Sequence, residues 1–154
     1  MSALLSYGNG KSFATGGVDY WYAPATINDL TSRILLPIEI EGVPVNAIVD
    51  TGAPYVVCDP ELAELLKLDP ADVLGTERLL VRGYWVTGHL YRLNMTFPAD
   101  QGETLSVTAT VFVPDIASRQ SWGHWPSFIG LSGCLERMRF AIDPGTDTFY
   151  FGPL

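Results

Sequence analysis

The apolar run Ala47-Ile48-Val49 leads straight into Asp50-Thr51-Gly52-Ala53. A strand apolar enough to be buried on both faces is a costly place for a carboxylate. An ionised acid there must be hydrogen-bonded to be tolerated, so its presence points to a chemical role. Gly52 lets the backbone turn sharply and bring an N–H to the carboxylate. The Thr51 hydroxyl can lock the loop by hydrogen bonding, and Ala53 leaves space in front of the acid. With ten Asp, twelve Thr and fifteen Gly in 154 residues, Asp-Thr-Gly arises by chance less than one time in ten. The tripeptide alone is therefore weak evidence, and its surroundings make it specific. An apolar hairpin precedes it, a short strand and a helix follow it, and Phe128-Ile129-Gly130 comes late in the chain. The bland alternative is an aspartate that merely caps a turn at a strand end.

The flanking pattern is that of a mostly β domain. Ile34, Leu36, Ile38 and Ile40 alternate with other residues, the period of a half-buried strand, and Glu41-Gly42 makes a hairpin turn into Val43–Val49. Tyr55–Cys58 reads as a short strand. Asp59 as cap, Pro60 at the first position and Leu62, Leu65 and Leu66 on one face predict a helix over about 60–67, stopped by Asp69-Pro70. Thr76–Val81 and Val86–Phe97 predict two strands around a tip at Arg82-Gly83-Tyr84-Trp85, and Pro98–Gly102 a loop. Thr104–Val113 alternates again, 114–127 is irregular, Leu131–Met138 fits a helix, and Arg139–Ile142 with Thr148–Phe151 fits a last hairpin. Residues 1–30 read as an extended N-terminal arm with at most one strand, and 31–154 as a single domain. The expected class is all-β with one or two short helices.

Composition narrows the function. Apolar residues are 47% and charged residues 17%, which excludes disorder. The net charge is −8 and the nine basic residues are scattered, so a nucleic-acid partner is not expected. No apolar run is long enough to span a bilayer, and Met1–Lys11 lacks the pattern of a secretory signal, which favours a cytoplasmic location. Cys58 and Cys134 are expected as free buried thiols, and with His89 and His124 they form no metal-ligand spacing. Ser127 has no nucleophile turn around it, and Gly8-Asn9-Gly10-Lys11-Ser12 lacks the spacing and preceding strand of a phosphate loop. Trp122 and Trp125 either line a substrate groove or anchor a polar loop to the core.

Taken together, Ile34–Ala53, Pro60–Lys67, Phe128-Ile129-Gly130 and Leu135–Asp143 resemble the retroviral-type aspartic peptidases, the retropepsins, and their bacterial and cellular relatives. The resemblance covers about residues 33–152. It implies a small closed β-barrel of acid-protease type. It implies that Asp50, Thr51 and Gly52 form the catalytic motif with Asp50 as the acid, that Thr51 supports the loop across a subunit boundary, and that Phe128-Ile129-Gly130 packs beside that loop. It further implies that Thr76–Phe97 is a flap over the substrate. Ala53, Gly83, Tyr84, Trp85 and Ile129 are then the expected substrate contacts. Leu131 stands where relatives commonly carry a polar residue, and residues 1–30 and 114–127 have no clear counterpart.

The mechanism of that family needs two carboxylates sharing one proton, because like charges about 3 Å apart cannot both ionise. This chain has one Asp-Thr-Gly. The nearest second candidate, Asp143, lies in Ile142-Asp143-Pro144-Gly145, a turn signal that predicts a hairpin corner. The second acid must then come from another copy on a two-fold axis. The expectation is a homodimeric aspartic endopeptidase acting on extended peptide or protein chains, with water as nucleophile and neither metal nor organic cofactor. Its rivals are a non-catalytic peptide-binding module of the same fold and a small-ligand barrel in which Asp-Thr-Gly is accidental.

Overall fold

The computed structural model describes residues 3–154. The strands are β1 (Leu5–Ser6), β2 (Ser12–Ala14), β3 (Gly16–Asp19), β4 (Trp21–Ala23), β5 (Arg33–Ile40), β6 (Val43–Val49) and β7 (Val56–Val57). Helix α1 (Pro60–Leu66) follows, then β8 (Gly75–Val81), β9 (Tyr84–Phe97), β10 (Gln101–Gly102), β11 (Leu105–Pro114), β12 (Ser127–Ile129), β13 (Arg139–Asp143) and β14 (Thr148–Gly152). The class is all-β with one α-helix.

The main sheet has the order β4-β5-β6-β12-β7-β11-β9-β8. It curls until β5 meets β9, but over two residue pairs only, Glu39–Thr96 and Ile40–Met95. The expected barrel therefore does not close. The reason lies in β9, one edge of which is taken by β11 along ten residues. On its other edge β8 occupies Tyr84–Leu90, and of the remaining stretch Tyr91–Phe97 only Met95 and Thr96 meet β5. Strands β4 and β8 remain as free edges of the sheet.

Both hairpins beside the acid end in turns with two left-handed residues. Glu41-Gly42 has φ of 48° and 78°, and Arg82-Gly83 has φ of 51° and 86°. Such paired positive φ values match the twist of the flanking strands, and glycine supplies the second at little steric cost. Helix α1 forms as expected: the Asp59 carboxylate accepts from the Leu62 N–H at 3.0 Å, Pro60 is at the first turn, and Lys67 closes the helix in the left-handed region.

Three expectations are corrected. Residues 1–30 carry four strands, not one, and they are tied to the rest: β3 pairs with β14 and β10, and β4 pairs with β5. The expected 98–102 loop includes β10 for the same reason. Leu131–Met138 is not a helix, and only Leu135–Arg137 makes a 3₁₀ turn. The backbone leaves the helical region in mid-run: Gly133 takes a left-handed φ of 70°, and Cys134 sits at φ −139° and ψ −82°.

The core holds Leu36, Ile38, Ile40, Met95, Phe97, Phe149 and Phe151, with a second cluster of Ile48, Val57, Val86, Phe112, Trp122 and Phe128. Cys58 and Cys134 are free and buried. Burial pushes the Cys134 thiol up to about 12 and raises Cys58 as well, so both act as small apolar side chains. Phe149 on β14 stacks on Phe97 and Phe140 at centroid distances of 6.3 and 5.9 Å, joining the terminal sheet to the main one. Phe149→Ala should destabilise the fold by about 3–5 kcal/mol, read as a lower denaturant midpoint.

Candidate active site

The acid sits where three chain segments meet. Strand β6 delivers it, and β12 runs parallel to β6 with Ala47, Ile48 and Val49 opposite Ser127, Phe128 and Ile129. One step past the strand, the Asp50 N–H donates to Ile129 O at 2.9 Å, and Leu131 N–H returns to Ala53 O at 2.9 Å. The Asp50-Thr51-Gly52-Ala53 loop is thus fastened at both ends to 129–131. Within it, the Ala53 N–H donates to Asp50 O at 3.0 Å, and the Gly52 N–H donates to Asp50 Oδ1 at 3.0 Å. The half-buried carboxylate is oriented by its own loop.

Gly130 makes that approach possible. A Cβ there would collide with the carbonyl oxygens of Tyr55 and Ala53, which are backbone and cannot swing away. The late apolar-apolar-Gly is therefore a packing requirement of the loop. Gly130→Ala should destabilise the protein by at least about 2 kcal/mol, measured by chemical denaturation.

In front of Asp50 lies a cleft of about 140 Å³, floored by Gly52, Ala53, Pro54, Val57 and Phe128 and roofed by Leu79, Leu80, Val81 and Arg82 from the β8–β9 hairpin. The Tyr55 hydroxyl donates to Glu77 Oε1 at 2.8 Å, tying the hairpin stem to the segment after the acid. Cross-strand register sorts the hairpin's two faces. Leu79 pairs with Val86 and Val81 with Tyr84, while Leu80 pairs with Trp85. Val86 is buried beneath the hairpin, so Tyr84 shares the inner face, lining a small pocket that adjoins the cleft.

Of the residues singled out from sequence, Asp50, Gly52 and Ala53 line the cleft. Thr51 is exposed at the loop's outer side. Trp85 projects from the hairpin's outer face, where the Arg78 guanidinium lies 4.3 Å from its ring centroid. Gly83 forms the turn and lines neither pocket. Ile129 is fully buried, so it meets no ligand directly and holds Asp50 through its carbonyl. Asp143 is a hairpin corner, its carboxylate taken by the Gly145 N–H and the Thr146 hydroxyl.

Sequence reasoning passed over Arg33, whose guanidinium pairs with the Asp29 carboxylate through Nε at 3.1 Å and Nη2 at 3.2 Å. That bond raises the Arg33 pKa, and the charge of Asp50 adds to it, so Arg33 lies within electrostatic reach of the acid. Sequence reasoning placed the hairpin over the substrate but did not single out Leu79, Leu80 and Val81 as cleft residues, since an alternating strand shows two faces and not which one points inward.

A family model for aspartyl proteases matches residues 36–113, about half of the chain. The chain belongs to the aspartyl protease family. No curated protein sequence matches it. A retropepsin-like aspartic protease from Rickettsia conorii has a similar crystal structure, with a TM-score of 0.55 and 20% identity, covering 88% of this chain and 89% of that one. The retroviral protease-like domain of Ddi1 from Leishmania major is 19% identical over 79% of this chain and 94% of that chain, with a TM-score of 0.47. The Rickettsia likeness supports the retropepsin-like fold. Among the described residues no helix is long and apolar enough to cross a membrane.

The Arg33 hydrogen bonds hold the Asp29 carboxyl well below the usual carboxylate range. A carboxyl lowered in the folded state stabilises it above the unfolded value of 3.8, and that contribution fades as pH falls below it. Asp29→Asn should therefore melt earlier than the parent at neutral pH, with the gap closing in acid, as melting curves across pH would show.

Proposed function

We propose that this aspartyl protease is an endopeptidase that works as a homodimer, with one Asp50 from each subunit. The observation that carries the reading is a half-buried Asp50, held by its own loop, in a cleft roofed by a hairpin, with no second Asp-Thr-Gly in the chain. Thr51, exposed beside the acid, is free to meet the partner's loop. An extended peptide lies between Ala53 and the inner face of the hairpin, against Val81 and Tyr84. Trp85 lies away from it on the outer face.

One Asp50 is ionised and takes a proton from water as the water oxygen bonds to the scissile carbonyl carbon. The other is protonated and donates to the carbonyl oxygen. The newly protonated Asp50 then gives its proton to the amine nitrogen as the C–N bond breaks, while the other takes one from a hydroxyl of the tetrahedral diol as the carbonyl re-forms, so the pair again holds one proton. Water is the nucleophile, and the chemistry calls on no metal or cofactor.

Asp50→Asn should lower turnover of an unstructured protein substrate by about 10²–10⁴-fold or more while leaving the fold intact. The rate should follow a bell in the acidic range whose limbs belong to the pair; a flat profile from about pH 4 to 8 contradicts a shared proton. Strand β8, a free edge beside the cleft, favours one other reading, a module that binds peptides by strand addition without cleaving them. Peptide binding by the parent with no cleavage at any pH supports that reading instead.

A further inference from the structure

The hairpin over Asp50 is fastened to the 114–127 segment, which has no role in the chemistry proposed above. At the hairpin stem, Asp115 N–H donates to Thr87 O at 2.9 Å and Thr87 N–H donates to Ser118 Oγ at 3.1 Å. At the tip, the Arg82 guanidinium carbon lies 3.4 Å from the centroid of the Trp125 ring. The left-handed backbone of Arg82 turns its side chain at the very end of the hairpin.

Trp125 is itself immobilised. Its ring stacks on Phe128 with centroids 6.3 Å apart and planes 13° from parallel. Trp122 meets Phe128 edge-on at 6.0 Å, and its indole N–H donates to the Trp125 carbonyl at 2.6 Å. Phe128 in turn floors the Asp50 cleft. Guanidinium, indole and phenyl therefore form a chain of contacts from the hairpin tip to the cleft floor, with the Arg33 guanidinium also 5.5 Å from the Trp125 centroid. A cation over an aromatic face is attracted by the ring quadrupole, and more strongly when the ring is fixed and partly shielded from water.

We propose that Trp125 is a positioning residue that latches the hairpin over Asp50 through Arg82. Releasing that contact opens the cleft, so the tip's opening equilibrium is set by a stack lying outside the catalytic loop. The inference rests on the functional reading only in taking Asp50 as the group that is covered; the latch itself is read without turnover.

Hydrogen exchange of the backbone amides across the hairpin tests it, with amides of β6 and β11 as internal controls. In Arg82→Gln the tip amides should exchange about 3- to 30-fold faster while the controls stay unchanged. Trp125→Leu should do the same, and adding Arg82→Gln to it should produce no further acceleration. Arg82→Lys and Trp125→Phe, which keep the cation and an aromatic face, should restore most of the protection. Unchanged tip exchange in Arg82→Gln overturns the latch, as do independent, additive effects of the two substitutions. Should Trp125→Leu loosen the whole fold, Arg82→Gln with its Lys control still decides, because Arg82 is exposed and packs in no core. A protein that never cleaves peptide but shows the coupled acceleration loses the endopeptidase reading and keeps the latch.

Discussion

The structure depends on the backbone approach at Gly130. Only a residue without a side chain lets the carbonyls of Ala53 and Tyr55 lie against it, and the pair of hydrogen bonds on either side locks the Asp50 loop to the chain there. Everything else follows from that seam. Strand β12 must run parallel to β6, β7 must fit between β12 and β11, and Phe128 must point where it can floor a cleft. The carboxylate then has a fixed direction with no salt bridge to it among the described residues. Its orientation comes from the Gly52 N–H and from the loop's own turn, which leaves the other face of the acid open.

Ser127 shows how tightly the surroundings are coupled to this seam. It is fully buried at the start of β12, accepts from Asp59 N–H at 2.9 Å and donates to Asp59 Oδ2 at 2.7 Å. Asp59 caps α1 through its other oxygen. One hydroxyl thus joins the helix start to the strand that holds the Asp50 loop. A buried hydroxyl satisfied on both sides stabilises this arrangement over any that would strand it.

Much of this was legible in the residues because the signals were local. The alternation of Ile34 to Ile40, the Glu41-Gly42 turn, and the Asp59-Pro60 cap each act within a few positions, and the elements formed where those signals lay. The acid, its glycine and the late Phe128-Ile129-Gly130 could be paired through the family resemblance. What stayed hidden depended on contacts distant in sequence. Strand β3 is glycine-rich and becomes a strand because β14 and β10 flank it. The Leu131–Met138 stretch has helical composition, but Gly133 turns left-handed and breaks it where the chain packs beside the Asp50 loop. Tyr84 and Trp85 are adjacent and aromatic, yet a strand sends neighbours to opposite faces, so one joins the pocket and the other the outer surface. The open barrel was hidden for a similar reason, because closure depends on how far β5 runs beside the end of β9, and there it meets only Met95 and Thr96.

The parallel pairing of β6 with β12 also has a consequence for synthesis. Ile48 bonds beside Phe128, some eighty positions later in the chain. Closing so large a loop is slow, and no local contact can stand in for it. As the chain leaves the ribosome, Asp50 emerges well before β12, and until β12 follows, its loop lacks the two bonds that fasten it to 129–131. A nascent or truncated chain therefore carries the acid without the site. The arrangement makes the arrival of β12 a precondition for fastening the Asp50 loop, and the topology itself imposes that order.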